Sequence, residues 1–390
     1  MKIVIVSGMA VGKSGVGQFL EAFKGDGRFE LICRRNRKSL RNLIINKKYI
    51  QIFQEITTRL FNDLYFYFQL RTIKNQTVII VHPQTLGYAN FRFLSKNNFS
   101  YLYLLDSWYF CIRSYNYIEG NKECLKCIEC TASDRSKVIS KIGCRSFPTA
   151  MSRRKYLLYS QYVKETIESD NLRLLYQNDS QKQLASRYFK TNRAAVVGMP
   201  AVKDLEGSSY VSLEFGDFDF VYHGSKEAAK GVDYFLSIAA LIPEKTFFVP
   251  IERSLVFDNH KSNQKKLSSL DNVTFFDCTW ESGLADIVTR AGLVINPTLW
   301  SAPVEGALIK SMLMNDNVAT VVSSYSFSSE IPKRAIVVLP RCERTAAEQL
   351  RNLDGDWKLD KEIKDKWISS FMLKHNVNSI FEAVWNDYHE

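Results

Sequence analysis

The sequence contains no long hydrophobic run, and none of its stretches approaches the roughly 20 consecutive apolar residues that a membrane-spanning helix requires. It has neither the zinc-finger spacing of DNA-reading proteins nor an RNA-recognition signature, so nucleic acid is not expected as a partner. A secretory signal is not expected either, because the apolar run from Ile3 is short, stops at Ser7-Gly8 and is followed by Lys13. The start of the chain therefore predicts a buried first strand in a cytoplasmic protein.

A phosphate-binding Walker A loop is also missing, although residues 8–17 are similar to one in composition. The pattern Gly-x4-Gly-Lys-Ser needs a glycine at position 7, where this sequence has Ser7. What remains is a glycine-rich turn after the first strand, of the kind that is common in Rossmann-like folds.

Length and charge bound the remaining possibilities. The 390 residues predict two domains of nearly equal size, and 46% hydrophobic with 24% charged residues is typical of a globular protein. The net charge of +11 is uneven: residues 1–195 carry 32 Lys/Arg and 14 Asp/Glu (+18), and the rest carry 20 and 27 (−7). A basic half suits an anionic partner, which is a membrane surface or a phosphorylated substrate once nucleic acid is set aside.

Strand-like and helix-like segments alternate along nearly the whole chain, which predicts an α/β protein with parallel sheets and helices on both faces. Two such Rossmann-like domains facing each other would place their ligand-binding strand edges around one cleft. We expect an N-terminal domain over 1–200, a linker over 201–216, a C-terminal domain over 217–372 and a last helix over 373–390. The predicted strands are the apolar runs at 3–6, 77–81, 101–105, 194–197, 218–222, 246–249, 273–276, 293–295, 318–322 and 336–339.

A glycine-rich turn is predicted at 224–231 (Gly-Ser-Lys-Glu-Ala-Ala-Lys-Gly), between a strand and a helix. Backbone N–H groups and the helix dipole point at one spot there, and a lysine can neutralise a diphosphate. A plain turn with a solvated lysine is the alternative. The segment resembles the Gly-Arg-x4-Lys-Gly turn of the retaining GT-B glycosyltransferases of family four (glycosyl transferases group 1). Gly224, Lys230 and Gly231 match its spacing, Ser225 stands in place of the Arg, and Lys226 is a candidate replacement cation.

A second segment, residues 296–311, resembles that family's P-S-x-x-E-x-F-G-x-x-x-x-E-A loop, which runs from a strand end into a helix. In the family, its two carboxylates contact the donor sugar and the ribose hydroxyls, since a carboxylate accepts two hydrogen bonds from a diol. Here Ala302 and Lys310 occupy the two Glu positions, and Glu305 occupies the Gly position, followed by Gly306. The resemblance implies that Glu305 contacts the sugar and that Lys310 faces the ribose or a phosphate. A charge at a helix N-terminus is the alternative for Glu305.

The first half carries three further candidates. The family has a G-G-x-G turn after its first strand, matched by residues 14–17, and Gly15 and Gly17 would let the backbone approach a ligand closely. His82 directly follows an apolar strand at the ligand-binding edge of the sheet, with an ordinary turn histidine as the alternative. Asp106 ends the next predicted strand and matches the Asp of the family's His-Asp pair, with Leu105 in place of the His. His82, Asp106 and Glu305 are thus the predicted catalytic residues.

Two sequence features are candidates for metal binding, an Asp-x-Asp motif and a run of cysteines. Asp217-Phe218-Asp219 imitates the Asp-x-Asp motif of another glycosyltransferase fold class but precedes a strand, so no catalytic metal is expected. Thiolates at the spacing of the cysteine run can close a tetrahedral zinc site, and some family members carry a similar insertion, here placed at about 106–146. The spacing also allows an iron–sulfur cluster, but the sequence shows no other feature of a redox protein. Reduced thiols without a metal remain the alternative. The candidate zinc ligands are Cys111, Cys124, Cys127, Cys130 and Cys144.

A run of basic residues precedes an aromatic-rich stretch, Phe61 to Phe68. A solvated helix face is the alternative, but in a basic domain the run is predicted to lie on anionic lipid headgroups or to collect a lipid diphosphate. The basic residues are Arg34, Arg35, Arg37, Lys38, Arg41, Lys47 and Lys48.

The family resemblance implies a donor domain after the linker, an acceptor domain before it and a C-terminal helix that crosses back. It implies an enzyme that transfers a sugar, with retention and without a metal cofactor, from a nucleotide-sugar donor to a lipid-diphosphate-linked or saccharide acceptor in surface polysaccharide synthesis. The expected location is the inner face of the cytoplasmic membrane. A non-catalytic, membrane-docked sugar-nucleotide-binding protein is the main alternative.

Overall fold

The protein is described from a computed structural model, which covers residues 2–12, 14–35, 44, 48–118, 120, 122–147, 149–169, 171–200, 211–257, 270–353, 357 and 359–389. The chain divides into two compact units. Unit 1 comprises Met1–Ser114, Lys126–Ala201 and His375–Glu390, and unit 2 comprises Tyr115–Leu125 and Val202–Lys374. The segment 115–125, expected from the sequence to lie within an insertion of the N-terminal domain, therefore groups with unit 2.

Unit 1 is built on a six-stranded parallel sheet with the order β2-β1-β3-β4-β5-β6. All five residues of β1 and of β3 are buried, as expected for parallel strands that are covered by helices on both faces. The strands are β1 (Ile3–Ser7), β2 (Phe29–Cys33), β3 (Thr77–Val81), β4 (Phe99–Tyr103), β5 (Arg173–Tyr176) and β6 (Ala194–Val196).

The helices of unit 1 connect these strands. Several begin at a side-chain cap: Ser14, Ser152 and Asn178 each accept a hydrogen bond from a backbone N–H of the first turn. The helices are α1 (Gly15–Glu21), α2 (Tyr49–Thr72), α3 (Pro83–Leu86), α4 (Tyr88–Asn97), α5 (Ala132–Ile142), α6 (Arg153–Glu168) and α7 (Asp179–Ser186).

Unit 2 has a second six-stranded parallel sheet, with the order β9-β8-β7-β10-β11-β12. This is the Rossmann order, in which the chain runs outward from β7 in one direction and then restarts beside it at β10. The strands are β7 (Phe220–Tyr222), β8 (Phe247–Val249), β9 (Val273–Phe275), β10 (Leu293–Asn296), β11 (Val318–Val321) and β12 (Val337–Leu339).

The core of unit 2 lies on both faces of its sheet. Phe220 and Tyr222 of β7 pack in one buried cluster, whereas Val221 between them packs in the other, as the alternation of side chains along a strand requires. The covering helices are α8 (Val232–Leu241), α9 (Arg253–Phe257), α10 (Ala285–Arg290), α11 (Gly306–Met314), α12 (Glu343–Leu353) and α13 (Lys361–Lys374).

The last helix, α14 (Val377–His389), belongs to unit 1. Asp387 pairs with Arg173 at 2.6 Å and accepts a hydrogen bond from the Tyr101 hydroxyl at 2.6 Å, which ties the helix to β5 and β4. Phe381 packs edge-on against Phe29 of β2. These contacts anchor the C-terminal helix on the sheet of the first unit.

The predicted α/β architecture of two parallel sheets is confirmed, and each predicted strand is present to within two residues of its expected bounds. The strands β2 and β5 and the 24-residue helix α2 were not predicted. Among the described residues, no helix is long and apolar enough to cross a membrane.

Candidate functional site

Two loops of unit 2 meet where its strand order reverses. Strands β7 and β10 are hydrogen-bonded neighbours, with Tyr222 opposite Ile295, so the residues that follow each strand lie at the same edge of the sheet. The turn 224–231 follows β7, and residues 297–305 follow β10. In open α/β sheets ligands bind at this reversal point, outside the carboxyl ends of the strands. The topology thus brings together the two motifs that the sequence singled out.

One contact holds the turn on its own strand, and two close approaches join it to the second loop. The buried Tyr222 hydroxyl donates to the Ser225 carbonyl at 2.6 Å, beneath the turn. The N–H of Leu299 donates to the carbonyl of Ala229 at 2.9 Å. Gly231 has a φ of +82°, and a Cβ atom there would lie 2.2 Å from the carbonyl oxygen of Pro297. A side chain at 231 would therefore be strained in its backbone and would separate the loops.

Lys230 and Glu305 form an ion pair across these loops. Both side chains are largely buried, at 17% and 10% exposure. Glu305 occupies the position that precedes α11 but makes no capping hydrogen bond, since its carboxylate turns to Lys230 instead. A charge that merely complements the helix N-terminus would not need this buried partner, so the geometry favours a role for Glu305 within the site.

Aromatic rings enclose the Lys230 ammonium group. Its Nζ lies 5.2 Å from the ring centre of Trp300 and 5.6 Å from that of Tyr115, within the range of a cation–π interaction. The Trp300 side chain is buried, and its indole N–H has no partner among the described residues. Lys226, in the same turn, is half-buried and makes no ion pair with any described residue. Lys226 is therefore the cation of this turn that is available to an anionic ligand.

A second cluster lies behind the loops. His223, which follows β7 directly, stacks on Trp280 with ring centres 5.1 Å apart, and its Nδ1 lies 2.8 Å from the Ser311 hydroxyl. Burial, with a smaller contribution from the neighbouring Lys310, lowers the pKa of His223 to about 3, so the imidazole is neutral at pH 7. Burial also lowers the pKa of Lys310, whose Nζ lies over the Trp280 ring at 5.2 Å.

The segment 115–125 braces the second loop. It forms a small antiparallel hairpin in which Tyr117–Ile118 pairs with Lys122–Glu123. Asn116 exchanges two hydrogen bonds with Ser301, from Nδ2 to Oγ at 2.9 Å and from the Ser301 N–H to Oδ1 at 3.2 Å. Ser301 also donates to Glu123. We define Tyr115–Leu125 as the brace; sequence reasoning missed it, because its partner Ser301 lies 185 residues from Asn116 and no local pattern marks the segment.

The candidate catalytic residues of unit 1 form a chain of hydrogen bonds. Gln84 Nε2 lies 2.7 Å from His82 Nε2 and donates to Asp106 Oδ2 at 3.2 Å, so Gln84 bridges the two predicted residues. His82 Nδ1 lies 2.8 Å from the Thr85 hydroxyl. This arrangement fits a neutral imidazole with its proton on Nδ1. Asp106 also accepts from the Trp108 N–H at 2.9 Å.

Burial sets the protonation of both groups. It lowers the pKa of His82 to about 4, so the ring is neutral at pH 7. It raises the pKa of Asp106 to about 7, although hydrogen bonds from Trp108, Gln84 and Ser114 oppose the shift. His82 is also held at a φ of +57°, which is unusual for a residue with a side chain. Strain and shifted pKa values at the carboxyl edge of a sheet are typical of functional sites.

Two of the candidate glycines have a packing reason in the structure. Ser14 caps α1 by accepting from the Gly17 N–H at 3.0 Å. A Cβ atom at Gly17 would lie 2.5 Å from the carbonyl oxygen of Gly12, so this glycine permits the turn to close on itself. Gly15 has open space around it, as does Gly306 at the start of α11, whereas a Cβ atom at Gly224 would meet the Tyr222 hydroxyl at 2.5 Å. Packing therefore explains Gly17 and Gly224 but not Gly15 or Gly306.

The five candidate zinc ligands are divided between the two units. Cys124 belongs to unit 2, whereas Cys111, Cys127, Cys130 and Cys144 belong to unit 1. Cys130 donates to the Lys126 carbonyl at 2.9 Å. The described residues contain no group of three or more His, Cys, Asp or Glu side chains that could hold a metal ion. A structural zinc site stays a prediction, which elemental analysis of the purified protein can test.

The remaining sequence candidates have structural partners or lie outside the described residues. Asp217 pairs with Arg290 at 2.7 Å, and Asp219 accepts from the Thr246 N–H at 2.8 Å, so both carboxylates serve the start of the unit 2 sheet. Of the basic run, Arg34, Arg35 and Lys48 are described, whereas Arg37, Lys38, Arg41 and Lys47 are not. The first ten residues of the expected linker, 201–210, also lie outside the described ranges.

Comparison with known proteins identifies the fold. No family model matches the sequence, and no curated protein matches it. One solved structure of similar fold is sucrose-phosphate synthase from Thermosynechococcus elongatus, with 12% sequence identity and a TM-score of 0.61; the match covers 100% of this chain and 98% of that chain. Another is Anabaena HepE in complex with UDP-glucose, with 11% sequence identity and a TM-score of 0.58; the match covers 100% of this chain and 99% of that chain. TarM is also similar (14% identity, TM-score 0.51), with 83% of this chain covered, and this chain spans 58% of TarM. At these identities the likeness shows the fold, which is the GT-B fold with two Rossmann-like domains.

Proposed function

We propose that this protein is a glycosyltransferase that moves a sugar from a nucleotide-sugar donor to an acceptor hydroxyl. The observation that carries the proposal is the meeting of the turn 224–231 with Glu305 at the strand reversal of unit 2, in a chain with the GT-B fold. HepE, which has this fold, holds UDP-glucose, so a UDP-sugar is the donor to test first. The match of Gly224, Lys230 and Gly231 to the family-four turn supports retention of the anomeric configuration as part of the proposal.

The donor site would stabilise the negative charge of the nucleoside diphosphate as it leaves the sugar. When the bond between the anomeric carbon and the diphosphate breaks, the electron pair departs with the nucleoside diphosphate, whose charge must be stabilised. Lys226, which is half-buried in the turn, and the N–H groups of the turn would do this. Glu305 would accept hydrogen bonds from the sugar hydroxyls, and a diphosphate that attracts Lys230 would release the carboxylate for that purpose.

The acceptor hydroxyl must lose a proton as its oxygen bonds to the anomeric carbon. We assign Asp106 as the base, because a pKa of about 7 gives a carboxylate that is both ionised and basic enough near neutral pH. His82 acts as a positioning residue that orients Asp106 through Gln84. The acceptor is proposed to be lipid-diphosphate-linked or a saccharide of a surface polysaccharide, met at the inner face of the cytoplasmic membrane, because the half with residues 1–195 has a net charge of +18.

A second candidate function is sugar-nucleotide binding without transfer. The pairing of Lys230 with Glu305 favours it, since the pair neutralises the two groups that would otherwise act on the donor. Screening nucleotide sugars separates the two functions in two steps. Thermal stabilisation by one of them, with slow release of free sugar or transfer to an added saccharide or polyprenyl-phosphate acceptor, supports the transferase. Stabilisation without any turnover supports the binding protein, and no stabilisation by any nucleotide sugar contradicts both.

A further inference from the structure

Helix α2 presents an apolar face to the outside of unit 1. Its 24 residues give a length of roughly 36 Å. Ile50 is 78% exposed, Phe61 is 76%, Phe53 is 69% and Phe68 is 64%. These residues recur at helical spacing along one side, together with the exposed Ile56, Leu60, Leu64, Tyr65 and Tyr67.

Three of the four charged residues of the helix lie on the opposite side, toward the protein, and the fourth, Arg71, packs on the rings of Tyr67 and Phe93. Arg59 pairs with Glu55 at 2.9 Å, and Asp63 pairs with Arg34 at 3.5 Å, while Phe66 and Leu70 are buried beside them. A helix that faces water places its apolar stripe inward and its charges outward. In α2 this distribution is inverted, which indicates that the outer face is covered by something apolar.

The chain before α2 shows which kind of surface covers it. Between Glu30 and Glu55 the sequence has seven Lys or Arg residues and no Asp or Glu. Of the described basic residues in this stretch, Arg35 and Lys48 are exposed and Arg34 is half-buried. A concentration of positive charge next to an apolar, aromatic-rich helix complements a surface that is negative outside and apolar beneath.

We propose that the outer face of α2 lies in the interface of an anionic lipid membrane, with the helix axis in the membrane plane. The aromatic and aliphatic side chains enter the boundary between headgroups and acyl chains, and the exposed Arg35 and Lys48 contact the headgroups. A second copy of the chain is a poorer occupant, because a symmetric contact through this face would bring two such basic stretches together. The inference deepens the membrane location in the proposed function and does not depend on sugar transfer.

The experiment measures binding of the full chain to vesicles of phosphatidylcholine containing about one third phosphatidylglycerol, at low and high salt. Wild type is compared with Phe61→Ser/Phe68→Ser, which removes two apolar contacts without changing charge. The control is Leu373→Ser, since Leu373 is 77% exposed at the end of α13 in unit 2. A second variant, Arg35→Gln/Lys48→Gln, tests the electrostatic part.

We expect wild type to bind at low salt and to retain part of its binding at high salt, because insertion is not screened. Phe61→Ser/Phe68→Ser should bind about tenfold more weakly and lose the salt-resistant part, while Leu373→Ser should behave as wild type. Arg35→Gln/Lys48→Gln should weaken vesicle binding at low salt but not at high salt. Absence of wild-type binding, or equal binding by wild type and the Phe variant, would overturn the proposal.

Oligomeric state and nucleotide-sugar binding are measured on the same proteins. A wild-type chain that is a dimer without lipid, and becomes a monomer in Phe61→Ser/Phe68→Ser, would show that a second copy covers the face and would overturn the lipid assignment. Thermal stabilisation by nucleotide sugars should be the same in all four proteins. If no nucleotide sugar stabilises any of them, the proposed function fails while the vesicle result still decides the membrane inference.

Discussion

The two units satisfy the polar groups of their candidate sites in different ways. In unit 1, His82, Gln84 and Thr85 lie within four residues of one another, and Asp106 joins them through the Gln84 amide. In unit 2, a charged pair joins residues 75 positions apart, and the brace holds the loop between them. Burial thus tunes protonation in unit 1, whereas unit 2 holds opposite charges that an incoming ligand can separate.

The largest expected effect comes from removing the tuned carboxyl of unit 1. Asp106→Asn keeps the oxygen that accepts from the Trp108 N–H but cannot take a proton, so turnover should fall about a hundred- to ten-thousandfold. In wild type, kcat/KM should rise with pH through about 7 as Asp106 ionises, and the variant should lose this rise. Asp134→Asn, at an exposed first turn of α5, is the matched control. A variant that keeps the wild-type pH profile would remove Asp106 from catalysis.

In unit 2, replacing one partner of the charged pair should change the stability of the fold rather than the protonation of the site. Lys230→Met leaves the Glu305 carboxylate buried without its partner, which should lower the free energy of unfolding by about 3–5 kcal/mol. Lys230→Met/Glu305→Gln should regain most of the loss. Thermal and denaturant unfolding measure both, with Arg351→Met of the exposed Arg351–Glu244 pair as a control that should change little. Equal stability of Lys230→Met and wild type would show that the pair is not formed.

The sequence predicted more of the fold than of the site. Continuous apolar runs such as 3–6 and 78–81 are typical of buried strands in a parallel sheet, so the alternation of strands and helices was predictable. The short strand β2 mixes polar and apolar residues and carries no such signal. Helix α2 was missed because many of its apolar residues face outward, so the stripe that normally marks the buried side of a helix is not there to be recognised.

Within the site, the positions of Lys230 and Glu305 were predictable but their pairing was not. Both follow strands, and the Rossmann order places those strands side by side. The sequence assigned one residue to the diphosphate and the other to the sugar, and it held no information on which side chains meet when no ligand is present. The brace depends on Asn116, Glu123 and Ser301, whose contacts arise only from the tertiary fold.

The turn 224–231 is proposed to bind the diphosphate of a nucleotide sugar. The most direct test is calorimetric titration with the nucleotide sugar that gives thermal stabilisation in the screen. Lys226→Ala removes the cation of the turn that pairs with no described residue, and it should weaken binding about ten- to a hundredfold, since a charge-assisted contact contributes roughly 1.5–3 kcal/mol. Lys333→Ala is the control, because this exposed lysine precedes β12 and so lies toward the opposite edge of the sheet. Weaker binding by Lys226→Ala alone is the predicted result, and equal affinity in Lys226→Ala, Lys333→Ala and wild type would contradict the donor site.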